Sequence, residues 1–123
     1  MAEHNEFGKS GEDFAVEYLQ EKGYAILNRN WRSGHKEIDI VAQWEDYMVF
    51  VEVKTRRNRT YGRPSDSVTE PKMRRLALAA DAYVRCYRID MPVRFDILTV
   101  EGVFPHVSVQ HIEDAFRSPV WYK

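Results

Sequence analysis

Apolar and small residues recur at Phe7, Gly11, Phe14, Ala15, Tyr18 and Leu19. This spacing of three and four predicts an amphipathic helix over about residues 7–22, with Gly23 placed to end it. Ser10, followed three residues later by Asp13, offers an alternative start, a capping pair that would open the helix at Gly11. The pattern then becomes β-like. Residues 24–31 read as a strand, Ser33-Gly34 as a turn, and residues 37–42 and 47–54 as two β-rich runs on either side of Gln43-Trp44-Glu45-Asp46, hence an antiparallel hairpin. A polar, basic stretch over about 55–68 reads as a loop. Pro71 suits the first turn of a second helix capped by Thr69 or Glu70, in which Met73, Leu76, Ala77, Ala80, Tyr83, Val84 and Tyr87 keep helical spacing. Residues 93–100 and 104–109 read as two further strands, and 112–116 as a short terminal helix. The order αβββαββ predicts an α/β fold: a mixed sheet flanked by helices, antiparallel at the start and with one helical crossover.

Composition narrows the class. A chain of 123 residues has room for one domain of ordinary size, so 1–123 is expected to form a single unit around one site. No apolar run approaches the roughly 20 residues that span a bilayer, so no membrane is expected as a partner. The opening Met-Ala-Glu-His-Asn-Glu-Phe lacks the basic and apolar regions of a secretory signal. A single cysteine, Cys86, excludes an internal disulfide and a thiolate zinc cluster. A cytoplasmic location is the expectation.

Charge is distributed unevenly. Residues 1–53 carry 5 basic and 11 acidic side chains, residues 54–75 carry 8 and 2, and residues 76–123 carry 5 and 6. Lys54, Arg56, Arg57, Arg59, Arg63, Lys72, Arg74 and Arg75 thus form a basic segment within a mildly acidic chain. Repulsion among so many cations favours an anionic partner, and Tyr61 could stack on a base, so nucleic acid is the expected ligand. The plain alternative is a solvated arginine-rich loop.

The hairpin concentrates chemistry. Alternate strand residues share a face, so Glu37 and Asp39 go together on one arm and Glu52 and Lys54 on the other. Glu52 and Lys54 follow Val49, Phe50 and Val51 in a run apolar enough for a central strand, where an unpaired charge is costly. A turn symmetric about Glu45-Asp46 sets Asp39 opposite Glu52 and Glu37 opposite Lys54. Two acids facing across a ladder repel, and a divalent cation between them removes the conflict. Hard ions with oxygen ligands, Mg²⁺ or Mn²⁺, suit two carboxylates whose remaining ligands are water and phosphate. A surface hairpin with an ordinary Glu37–Lys54 ion pair is the simpler alternative. On a helical wheel, Glu12 borders the buried stripe of the first helix while Asp13 and Glu17 face away, so Glu12 is the acid best aimed at a sheet beneath. It would equally suit a helix's first turn with no further role. His35, Glu37 and Asp39 alternate along one strand and present a weaker transition-metal candidate.

The runs Glu37-Ile38-Asp39-Ile40-Val41 and Val51-Glu52-Val53-Lys54 resemble the signature of the PD-(D/E)XK nuclease superfamily. A wider set also resembles the YraN-like family of uncharacterised bacterial proteins, over about residues 8–116: Gly11-Glu12, Arg29-Asn30, Glu37-Ile38-Asp39, Phe50 through Lys54, Gly62, Pro64, Lys72, Arg75-Leu76 and Arg94-Phe95-Asp96. Lys36 stands where that family often has glycine. The resemblance implies a restriction-endonuclease-like fold close to the Holliday-junction resolvases, and an endonuclease acting on phosphodiesters of branched or junction DNA. Glu12, Asp39, Glu52 and Lys54 are then the expected catalytic group. Asp39, Glu52 and the Val53 backbone carbonyl would hold the Mg²⁺ or Mn²⁺, with Glu12 at its outer shell. Arg56, Arg57, Arg59, Arg63, Lys72 and Arg75 would contact nucleic acid. Resemblance to resolvases also implies a homodimer. The competing expectation is an adaptor that binds nucleic acid on the same fold without cutting it.

Overall fold

The structure, a computed structural model, describes residues 10–56, 69–103 and 105–117. Helix α1 (Gly11–Glu21) is followed by strands β1 (Ala25–Ser33), β2 (Lys36–Trp44) and β3 (Tyr47–Arg56), then helix α2 (Glu70–Tyr87) and strands β4 (Val93–Val103) and β5 (His106–Phe116). The five strands form one sheet in the order β1-β2-β3-β4-β5. β1–β2, β2–β3 and β4–β5 are antiparallel, and β3–β4, joined through α2, is parallel. This is the mixed α/β sheet that the order of elements predicts. Among the described residues, no helix is long and apolar enough to cross a membrane.

The helices cover opposite faces. Ile38, Val41, Met48, Phe50 and Phe95 pack beneath Leu76, Ala77, Ala80 and Tyr83 of α2. Ile40, Ala42, Val49, Val51, Leu98 and Val100 pack with Ala15 and Leu19 of α1. β3 shows the strand period clearly: Met48 and Phe50 belong to the α2 side, Val49, Val51 and Val53 to the α1 side. Continued along the strand, that alternation sends Glu52 and Lys54 to the α2 side.

Three sequence expectations change. Ser10 has extended backbone (φ −95°, ψ 173°), accepts from Asp13 N and donates its own N–H to the Asp13 carboxylate, so a capping box opens α1 at Gly11 rather than near residue 7. Asp13 is thereby held below the usual carboxylate range, first by the Ser10 N–H. Residues 112–116 are the end of β5, not a helix. Their Ile–Phe spacing of four mimics a helical stripe, but Phe116 stacks on Phe95 at 4.8 Å and the strand accommodates its extra residues in a bulge where Asp114 has φ 52°. The β4 strand also runs beyond residue 100, to Val103. Thr69 occupies the N-cap position of α2 without a side-chain hydrogen bond.

Candidate functional site

The site lies where β2 and β3 part. Their ladder pairs Trp44 with Tyr47, Gln43 with Met48, Ala42 with Val49, Val41 with Phe50 and Ile40 with Val51. Two residues, Glu45-Asp46, turn the chain, with Glu45 at φ 53° supplying the left-handed step. This is the register in which Asp39 would next oppose Glu52, but the ladder stops one step short. The Asp39 carboxylate instead accepts the Val53 N–H at 2.8 Å. β3 stays paired with β4 as far as Arg56, so the sheet forks, with Asp39 bridging the opening. Within an extended strand a residue's N–H and C=O point to the same edge, so the Val53 carbonyl faces the opening too.

A cavity of about 320 Å³ opens on the α2 side of this fork, lined by His35, Lys36, Glu37, Asp39, Glu52, Arg75, Leu76 and Leu78. Acids and cations therefore share one concavity. Burial is the main reason that the Asp39 carboxyl is pushed up to about 6; the Val53 N–H opposes the rise, and the charges of Glu12, Glu52 and Glu37 add to it. The Lys54 ammonium is 3.9 Å from Glu52. Lys72, from the first turns of α2, meets Lys54, and that contact, with desolvation, holds Lys72 below the usual lysine range. The opposition of Glu37 and Lys54 does not form: Glu37 pairs with Arg32 of β1 at 3.5 Å.

Glu12 approaches from the other helix. Gly11 lets the start of α1 sit directly on β3, since a Cβ there would come within 2.7 Å of the Thr55 hydroxyl oxygen. Glu12 then accepts from Arg29 (3.1 Å) and Asn30 (3.0 Å), while Arg29 also reaches Asp13 at 2.8 Å. Among the charges raising Asp39, Glu12 stands first, so α1 does contribute an acid to this end of the sheet.

The basic residues separate into groups. Arg75 lines the cavity and Lys72 adjoins Lys54. Arg56 is nearly covered and lies 3.7 Å from buried Glu101, so it is engaged within the protein. Arg57, Arg59 and Arg63 lie outside the described residues. His35, Glu37 and Asp39 do not form the transition-metal group considered above: among the described residues, no set of three His, Cys, Asp or Glu side chains is gathered to hold a metal ion. Two carboxylates remain, and they fit a hard cation that takes one or two protein oxygens and completes its shell with water and phosphate. A cation there would also offset what raises Asp39, first its burial and then the charges of the neighbouring acids. Leu78 on the cavity wall and the partnership of Arg29 and Asn30 with Glu12 had no role assigned from sequence. The polar Arg29-Asn30 pair inside a strand was the available signal.

Fold and site together define a single α/β domain with an acid-and-lysine cluster at a forked strand pair. The chain belongs to the uncharacterised protein family UPF0102, whose model matches residues 11–100. It is 51% identical to a UPF0102 protein of Phocaeicola vulgatus and 53% identical to one of Bacteroides thetaiotaomicron, each over 98% of this chain and all of the relative. A UPF0102 protein of Rhodococcus opacus is 44% identical over 94% of this chain and the whole of that protein.

Proposed function

We propose that this protein is a metal-dependent endonuclease of the restriction-endonuclease-like type, hydrolysing phosphodiester bonds in DNA, with branched or junction DNA as the first substrate to try. The observation that carries this is the fork itself: Asp39 and Glu52 line one cavity, with Lys54 and Lys72 beside it. Asp39, Glu52 and the Val53 carbonyl would hold Mg²⁺ or Mn²⁺, with Glu12 at the outer shell. When bound, the ion supplies Lewis-acid polarisation of the phosphodiester and an acidified water.

The chain's own groups do the rest. Lys54 places positive charge beside Glu52, where it orients the attacking water or offsets charge developing on phosphorus. Lys72 and its contact with Lys54 favour an anion at that spot, since two ammonium groups side by side are stabilised by a phosphate between or above them. Arg75 on the cavity wall would contact the nucleic acid through its phosphates, with Arg57, Arg59 and Arg63 as further candidates for that contact. A homodimer would pair two such sites for symmetric cuts.

The test is nicking of a branched DNA by the parent protein with and without Mg²⁺. Asp39→Ala, Glu52→Ala and Lys54→Ala should each lower the rate by about 10²-fold or more, the scale for losing a group that stabilises transition-state charge, while DNA binding in filter or anisotropy assays is largely kept. An adaptor that binds nucleic acid without cutting it is favoured instead by one observation, the engagement of Glu12 by Arg29 and Asn30. Salt-sensitive DNA binding with no metal-dependent turnover on any substrate would decide for the adaptor.

A further inference from the structure

Asn30 sits at φ 52°, in the left-handed region, in the middle of β1. Its place in the ladder lies between the pairs Arg29–Ile40 and Trp31–Ile38, so it falls opposite Asp39. The left-handed step interrupts the pleat. Asn28 accepts from Tyr83 of α2 at 2.6 Å, and Trp31 packs edge-on against the same Tyr83 at 5.1 Å. Arg29 and Asn30 between them both turn to α1, where each donates to the same Glu12 oxygen, Oε1. In a regular strand two successive side chains could not share a face. β2 shows the matching irregularity: Ile38 packs on the α2 side and Ile40 on the α1 side, although residues two apart normally face the same way.

We propose that Asn30 is a positioning residue of the metal site: its left-handed backbone turns the amide onto Glu12 and, with Arg29, fixes that carboxylate at the end of the sheet that carries Asp39, where it would serve the ion's outer shell. This rests on the metal-site reading above and adds a specific device to it. Glu12 stands on a different element from Asp39 and Glu52, so its orientation is set by what holds it. Asn30 links helix and strand directly, since its side chain binds Glu12 while its place on β1 falls opposite Asp39, between two ladder pairs. Arg29 alone would leave Glu12 on a long, exposed partner that is shared with Asp13.

The test is calorimetric titration of the whole protein with Mn²⁺ or Mg²⁺ alone. Asn30→Gly removes the amide but keeps the left-handed backbone at no steric cost, so thermal unfolding should stay near the parent's while metal affinity falls about tenfold or more, the scale for outer-shell partners. Glu12→Gln should weaken binding too, and adding Asn30→Gly to it should weaken binding no further. If Asn30→Gly folds poorly, Asn30→Asp also tolerates the left-handed region but sets an acceptor against Glu12, and the same loss is expected. Unchanged affinity in Asn30→Gly, or a loss that adds fully to that of Glu12→Gln, overturns the role of Asn30 alone. No metal binding by the parent overturns the metal site itself.

Discussion

Two aspartates in this sheet have similar surroundings in one respect and opposite surroundings in another. Asp96 on β4 is fully buried and Asp39 on β2 partly so, and each accepts a backbone N–H from the neighbouring strand: Val53 at 2.8 Å for Asp39 and Asp114 at 3.0 Å for Asp96. Around Asp96 the remaining partners are donors. Arg94 forks onto both carboxylate oxygens at 2.9 and 2.7 Å, and His111 Nε2 lies 2.7 Å away. Arg94 also donates to the Tyr24 hydroxyl, so the cluster knits β4, β5 and the end of α1. Burial alone would raise Asp96; these hydrogen bonds reverse it and hold the carboxyl below its usual range. Around Asp39, burial raises the carboxyl first, the single Val53 N–H opposes it, and the acids Glu12, Glu52 and Glu37 add to the rise, which takes it up to about 6. One acid is completed by the protein. The other keeps a raised carboxyl, the environment that the proposed metal ion would relieve.

The contrast can be broken most directly by deleting each acid. Asp96→Ala leaves Arg94 buried without its partner and should cost about 3–5 kcal/mol in urea unfolding at pH 7. Asp39→Ala should cost far less without metal, because it removes a partly buried charge, which offsets the loss of the acceptor for the Val53 N–H. Equal losses in the two variants would erase the distinction.

A pH series sharpens it. The folded pKa of Asp39 is raised from 3.8 to about 6, so the folded state binds the proton more tightly and stability from this group falls as pH rises between those values. At pH 7 the ionised carboxylate should cost about 2–3 kcal/mol relative to pH 4. Asp39→Asn keeps an acceptor for the Val53 N–H, so it should exceed the parent by that margin at pH 7 and match it near pH 4. Saturating Mg²⁺ should narrow the gap. Asp96 has the opposite sign: its lowered pKa stabilises above the ordinary carboxylate range, and that contribution is lost as acid carries the pH down through its folded value. A flat difference between the parent and Asp39→Asn across pH 4–7 would contradict the environment described.

Smaller effects belong to the elements that carry these acids. Ser10→Ala breaks the capping box on the helix that presents Glu12 and should cost about 1 kcal/mol, read by thermal unfolding. Smallest of all are the rim pairs, Arg29 with Asp13 near one acid and Lys22 with Glu113 near the other, whose cations are about 40% exposed. Arg29→Ala and Lys22→Ala should each change stability by under about 1 kcal/mol. A large loss from either would move the difference between the two ends from the buried acids to their surroundings.

Local pattern carried much of this molecule. Hydrophobic spacing determined the order αβββαββ and the α2 stripe from Met73 to Tyr87, because each depends on residues a few positions apart. The concentration of Glu37, Asp39, Glu52 and Lys54 on the hairpin was legible for the same reason. The hairpin register about Glu45-Asp46 was an assumption of symmetry, with no turn glycine to fix it, and the ladder supplied it. Tertiary structure decided what local pattern leaves open. The terminal segment lies along β4 as strand because Phe95 and Asp96 offer it a stacking ring and an acceptor, neither visible within residues 112–116. The fork exists because Asp39 takes the Val53 N–H in place of a ladder bond. Glu12 joins that end of the sheet through Arg29 and Asn30, 17 and 18 residues further along the chain. Which acid is neutralised and which is left crowded depends on charges that meet only when the sheet closes. Coulombic and hydrogen-bonding partners are set by distance in space, and periodicity along the chain determines only the face from which each side chain sets out.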